Sequence, residues 1–348
     1  MKFKSSITIN NKSIGEGNRP YIIAEMACAH NGDYQQAHDL IKASYETGAD
    51  ACQLQFFVPE ETVTPSHEVF SVLRDICLSD EQWTELFNFG KGLGIDMFVC
   101  TYDVPSVKLA VKLGADGIKL NSADLSNPDV LKAVAESKIP FTLGTGASTF
   151  EEIARGLRYI YDNGAEEVVL MHGVQNFPTQ NKDLNIKRIA LLKSVFDSYP
   201  VGYADHTDGD DEFGNVIDLL AVGLGANVLE KHITLSRKDK GIDYQAALEP
   251  EEFKKYVNDI HRGFEALGTT EIKPFTESDL KYRKFQKKSI VAARDLDEGE
   301  VIDRNAVRFL RNEVPGLPPI EFKQIDGLKL SKPILKFDNL LKENLIKS

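Results

Sequence analysis

The sequence predicts a closed (β/α)8 TIM barrel followed by a small β-rich domain. Short, nearly continuous apolar runs recur eight times over about 230 residues, the usual span of such a barrel. Helical patterns separate the runs, and the pattern changes to strands and turns from residue 284. Continuous apolar character suits parallel strands buried on both faces. Strand, helix, strand at this spacing implies parallel pairing through right-handed crossovers. An open doubly wound sheet is the rival arrangement; against it, no GxGxxG follows the first strand.

Residues 1–18 read as a short capping hairpin, and the barrel is expected over 19–268. Its strands are YIIAEM (21–26), ACQLQFF (51–57), MFVCTY (97–102), GIKLN (117–121), FTLGTG (141–146), EVVLMHG (167–173), VGYADH (201–206) and NVLEKHI (227–233). Among the helical patterns, QQAHDLIKASYETGA ends on Gly48 as a C-cap. SDEQWTELFNFGKGLG opens on Ser79 with Gln82 three residues on, a capping-box signature. SVKLAVKLGA, NPDVLKAVAES, STFEEIARGLRYIYDNGA, NIKRIALLKSVF and FGNVIDLLAVGLGA continue the alternation. A helix near 250–267 closes the barrel, a polar stretch (269–283) reads as a linker, and the small domain fills 284–348.

A net charge of -12 argues against nucleic acid or an anionic membrane as partner, and means that an anionic substrate must be held by local donors. The four cysteines form no CxxC pair and sit beside apolar neighbours, as buried reduced thiols do. MKFKSSITINNK lacks the apolar core of a signal peptide, and no run approaches the ~20 apolar residues of a membrane span. A cytoplasmic location is expected.

Barrel chemistry gathers at the C-terminal ends of the strands. Those ends carry Glu25, Gln53 and Gln55, Thr101, Lys119 with Asn121 and Ser122, Thr145, His172, Asp205 with His206, and Glu230 with His232. His206 and His232 end neighbouring strands, about 4.8 Å apart, so both imidazoles can reach one divalent ion such as Mn2+, Zn2+ or Fe2+. Asp205 and Glu230 stand nearby to orient ligands or bind; the plainer reading is two unrelated hydrogen-bonded histidines. Lys119, inside an apolar run, needs an anion or a carboxylate partner. It is a phosphate or carboxylate anchor, a Schiff-base lysine, or one half of a structural pair with Glu25 or Glu230. GTGAS (144–148) either offers amides to an anion at a helix start or simply makes a tight turn. His30 and His172 are weaker candidates, and His38, His67 and His261 read as surface residues.

Taken in order, IIAEMACAHNGD, GADACQLQFF, FVCTYDVPSV, GIKLNSADLSNP, LGTGASTFEEI, NFPT, GYADHTDG, VLEKHITL and LEPEE resemble the sialic acid synthase family. That family includes the N-acetylneuraminate, legionaminate and pseudaminate synthases. KKSIVAARDLDEGEVI resembles the antifreeze-like (SAF) domain that ends them. The resemblance implies a transferase that condenses phosphoenolpyruvate with an open-chain N-acetyl amino sugar and releases phosphate. It implies that His206 and His232 bind the metal, usually Mn2+, with Mg2+ or Co2+ as further possibilities. Glu25 would serve acid/base work at the attacked carbonyl. Lys119 and Ser122 would hold phosphoenolpyruvate, with Thr101 close by; Glu230 and Asp243 would bind sugar hydroxyls. Gln53, Thr145, Gln175 and Asp205 complete the expected substrate contacts. Arg311, or alternatively Arg308, would reach in from the SAF domain of a second subunit, which implies a domain-swapped homodimer. The sequence departs from the family where Gln53 replaces the usual Lys, Gly144 and Ala204 replace Ser, Phe177 replaces Tyr, and Gln175 lies near the usual Asn. Several of these positions grip phosphoenolpyruvate in the family. Two other readings stay open: a metal-dependent barrel aldolase or hydrolase, and a non-catalytic sugar-binding protein of the same fold.

Overall fold

The computed structural model describes residues 3–196, 199–269 and 271–346. The chain divides into two compact units, Met1–Thr269 and Thr270–Ser348. In the first, β1 (Ile7–Ile9) and β2 (Lys12–Ile14) form the expected hairpin, turned at Asn10 with a left-handed φ of 51°. Alternation puts Ile7, Ile9 and Ile14 on one face, where they join Tyr21, Phe98, Val169 and Val228 in a buried cluster. The hairpin thereby stoppers the floor of the barrel.

The barrel strands are β3 (Tyr21–Ala27), β4 (Ala51–Phe56), β5 (Asp96–Thr101), β6 (Gly117–Leu120), β7 (Phe141–Gly144), β8 (Val168–Gly173), β9 (Val201–Asp205) and β10 (Val228–Ile233). Each is parallel to its neighbours, and β10 pairs with both β9 and β3, which closes the ring. The predicted runs agree with these strands to within one or two residues, because apolar continuity is a local property. β11 (Ala247–Leu248) adds a short parallel pairing beside His232 and Ile233. A helix follows each barrel strand, and the outward strand residues pack beneath these helices in one large core. The capping box at Ser79 and Gln82 is present, and Gly48, at φ 83°, lies one residue past the cap of its helix.

In the second unit β12 (Lys288–Ala292) pairs antiparallel with β13 (Val307–Arg311), and β14 (Lys329–Leu330) with β15 (Leu345–Ile346). Ile290, Leu296, Ile302, Val307, Ile325 and Leu340 form its core. The stretch expected as a linker contains most of a helix, Glu277–Gln286, started by a capping box between Thr276 and Asp279. The helix buries no side chain, so the polar composition that suggested a linker is that of a solvated helix.

Candidate active site

Side-chain alternation decides which strand-end residues meet. On β3, β4 and β10 the inward positions are Ile23, Ala51 and Val228 near the floor, and Glu25, Gln53 and Glu230 two residues above them. Lys119 enters from β6. Its ammonium lies 2.5 Å from Glu230 Oε1 and 3.4 Å from Glu25 Oε2. The Gln53 amide donates to Glu25 and, at 3.3 Å, to Glu230. A bulge shifts the β3–β4 register between Glu25 and Ala27, and Ala27 (φ 45°) turns its N–H onto Glu25 Oε1 at 2.6 Å. Two buried carboxylates thus share one cation. Burial pushes the Glu25 carboxyl above its ordinary value, and Glu230 adds to this against Lys119 and Gln53. Burial pulls the Lys119 ammonium down, but Glu230 and Glu25 outweigh it and hold the group protonated. A lysine so held is an anion anchor and ion-pair partner; it is not the neutral amine that Schiff-base chemistry requires.

His206, just past β9, and His232, on β10, stand beside this cluster with ring centroids 5.2 Å apart. Two imidazoles on one ion at about 2.1 Å have centroids roughly 5 Å apart, so the pair is spaced to chelate. His206 Nδ1 lies 2.6 Å from the Val174 carbonyl, so that nitrogen carries the hydrogen and Nε2 presents its lone pair. Burial lowers both imidazole pKa values, that of His232 furthest, with His206 and Lys119 adding to the effect. Neutral imidazole is the ligating form, and this donor set fits a divalent transition ion. Phe177 covers the pair, 4.3 Å from the His206 ring and 5.6 Å from that of His232. Among the described residues no three His, Cys, Asp or Glu side chains gather as a metal cluster, so an ion held by this pair would need water or substrate oxygen as its further ligands.

Other expected site residues lie elsewhere. Thr101 shares the outward face of β5 with Met97 and Val99 of the outer core; its fully buried hydroxyl faces away from the barrel axis. Thr145 gives both its amide and its hydroxyl to the Met171 carbonyl at 2.9 Å, which ties adjacent strands and leaves no donor for substrate. A Cβ at Gly146 would lie 2.6 Å from the Gly173 carbonyl oxygen, so GTGAS is a tight turn, and its helix starts only at Phe150. A Cβ at Gly144 would lie 2.9 Å from the Ser122 amide nitrogen, which accounts for the glycine there. Ser122 itself opens a 3-10 turn after β6, half-buried. Gln175 is exposed on the loop after β8. His172 points outward to the Leu184 carbonyl at 2.7 Å. Asp243, left-handed at φ 62°, sits on the loop after β10; burial raises its carboxyl and Lys119 opposes the rise. Arg311 ends β13 in the second unit, exposed.

Asp205 is the clearest correction. It alternates with Ala204 and His206, so its carboxylate leaves the barrel and enters the layer beneath the helices. There it accepts from Lys231, from the Tyr203 hydroxyl at 2.9 Å and from the Thr207 hydroxyl at 2.6 Å. Lys231 also reaches Asp218 at 3.4 Å. Sequence reasoning missed Lys231 and Asp218, although Lys231, flanked by inward Glu230 and His232, had to face outward. Burial pushes the Asp218 carboxyl up to about 8, with Asp205 adding and Lys231 opposing. From about pH 4 to pH 8 the unfolded chain therefore releases a proton that the folded chain keeps, and stability falls with rising pH. Asp218→Asn should flatten that slope and raise Tm at pH 8 relative to wild type; parallel Tm–pH curves would refute the assignment.

Polar side chains from several strands, converging on the C-terminal rim of a closed barrel, are the layout of a barrel enzyme. The chain belongs to the NeuB family: residues 40–272 match the NeuB family model, and residues 287–336 match that of the SAF domain. It is 32% identical to the N,N'-diacetyllegionaminic acid synthase of Legionella pneumophila, over 93% of this chain and 94% of that protein. It is 28% identical to a pseudaminic acid synthase of Campylobacter jejuni, over 93% of this chain and 95% of that protein. The crystal structure of an N-acetylneuraminic acid synthetase from Leptospira borgpetersenii, in complex with citrate, superposes with a TM-score of 0.74 at 29% identity, covering 81% of this chain and 97% of that one. Among the described residues no helix is long and apolar enough to cross a membrane.

Proposed function

We propose that the chain is a nonulosonic acid synthase that condenses phosphoenolpyruvate with an open-chain N-acetyl amino sugar and releases phosphate. The observation that carries this reading is the chelation-spaced pair His206 and His232 beside the Glu25–Lys119–Glu230 cluster. A divalent ion, Mn2+ in the first instance, would be held by the two imidazoles and would polarise the sugar aldehyde as a Lewis acid. Lys119 anchors the anionic enol phosphate. Glu25, whose burial favours the protonated form, supplies a proton to the developing alkoxide as the alkene carbon attacks. The carboxylate of Glu230 stabilises the cationic C2 that follows, and water adds there before phosphate leaves. Glu230 and Asp243 orient sugar hydroxyls, and Ser122 stands at the phosphoenolpyruvate end. Arg311 comes from the SAF domain of a second subunit in a domain-swapped homodimer.

The direct test is phosphate release from phosphoenolpyruvate with Mn2+ and either N-acetylmannosamine or a 2,4-diacetamido sugar. No release with any such sugar would favour an aldolase, a hydrolase or a binding protein. Arg311→Ala should raise the sugar KM by about 10–100-fold, the loss of one charge-assisted hydrogen bond, and leave barrel folding unchanged; an unchanged KM would remove Arg311 from the site. Gln53→Lys adds a second cation between Glu25 and Glu230 and should tighten phosphoenolpyruvate binding by roughly tenfold. Weaker binding would mean that Gln53 belongs to a rebuilt anion site.

A further inference from the structure

Behind the imidazole pair lies a buried ionic network with no place in the reaction above. Lys231 immediately precedes His232, and Asp205 immediately precedes His206. The two are register partners across β9 and β10, and their side chains meet on the face opposite the imidazoles. Both are essentially without solvent exposure. Asp205 also accepts from the Thr207 amide at 3.3 Å and the Thr207 hydroxyl at 2.6 Å, so its carboxylate brackets the His206 backbone from both sides. Lys231 reaches the Thr207 hydroxyl at 3.3 Å. The helix Gly214–Gly223 seals the network. A Cβ at Gly214 would lie 2.7 Å from Thr207 Oγ1 and 3.5 Å from Lys231 Nζ, and Asp218 follows one turn later on the same face. His206 has its own ring anchor in the Val174 carbonyl. Lys231 fixes the backbone of β10 next to His232.

We propose that the Lys231–Asp205–Thr207 network is a positioning device that sets the separation and aim of His206 and His232, so that cation affinity depends on side chains that never touch the cation. A pair whose charges served only the interface between barrel and helices could sit at any register. This one occupies the two residues adjoining the imidazoles, on the strands that carry them. Groups that orient metal ligands from behind commonly govern affinity by 10–100-fold.

The proposal rests on the imidazole pair being a cation site, and the test separates the two. Wild-type protein is titrated with Mn2+, following free ion by electron paramagnetic resonance, and with Co2+, following its visible bands. The triple variant Lys231→Met/Asp205→Asn/Asp218→Asn removes all three titratable groups, so that no unpaired buried charge remains. The expected result is a folded variant with Mn2+ affinity 10–100-fold weaker and altered Co2+ bands. Wild type that binds no ion would overturn the cation site itself. Wild type that binds, with a folded variant of equal affinity and identical Co2+ bands, would overturn the positioning role alone. If the triple variant does not fold, Thr207→Val decides. A several-fold loss of affinity with shifted Co2+ bands supports the network, and parity with wild type overturns it.

Discussion

Replacing His206 or His232 with alanine should abolish turnover while leaving the barrel folded. Polarisation of a carbonyl by a bound ion contributes several kcal/mol to transition-state stabilisation. At 1.36 kcal/mol per decade, under the proposed reaction the loss of either imidazole should lower kcat by about 10^3-fold or more. The folded state should tolerate the change. Both rings are neutral, and they stand buried beside Phe177 at the rim, outside the apolar clusters of the barrel. Each variant should also lose Mn2+ in calorimetric titration, because two imidazoles are the only side-chain ligands that the described site offers and one alone leaves a weak complex. Wild-type turnover in either variant, or one equivalent of Mn2+ retained at wild-type affinity, would end the assignment.

Lys119→Met should produce the second large effect, on stability and substrate binding together. Lys119 is the shared cation of Glu25 and Glu230, which are at most 1% exposed. Removing one partner of a buried pair typically costs about 3–5 kcal/mol, because the remaining charge keeps its desolvation penalty. The sign of the pH dependence follows from Glu25. Its carboxyl is already raised, and without Lys119 it rises further. A carboxyl with a raised folded-state pKa contributes stability below its unfolded value and loses it as pH climbs through the folded one. The deficit of the variant should therefore be largest near pH 8 and shrink toward pH 5 in urea unfolding. Equal deficits at both pH values would mean that Lys119 does not neutralise these acids. Under the proposed reaction the same change should raise the phosphoenolpyruvate KM by at least tenfold, as a charge-assisted contact implies.

The central cluster is partly legible in the amino-acid sequence. Glu25, Gln53, Lys119, Glu230, His206 and His232 stand out as polar residues at the ends of apolar runs, and each proves to face the barrel axis or its rim. Thr101, Thr145 and Asp205 stand out for the same reason and face outward or into strand ties. The difference is one residue of phase. A strand of period two reverses a side chain with each step, so residue type at a strand end does not reveal its face unless the floor residues are counted up from the core. Counting from Val228 places Glu230 and His232 inward and Lys231 outward. No such count identifies the partner of Lys231, because that depends on how β9 registers against β10 in the closed ring.

The succession of strands and helices, the closed barrel they imply, the β-rich second unit and the residue types available at the rim are all written in the linear chain. They follow from apolar periodicity and capping, which act over a few residues. That two carboxylates share Lys119, that His206 and His232 lie within chelating distance, and that Lys231 and Asp205 meet behind them emerges only on folding. Those are relations between strands far apart in the chain. They are set by closure and register, and it is there that burial and Coulomb attraction, strengthened by the low dielectric of the interior, fix which charges pair and which rings stay neutral.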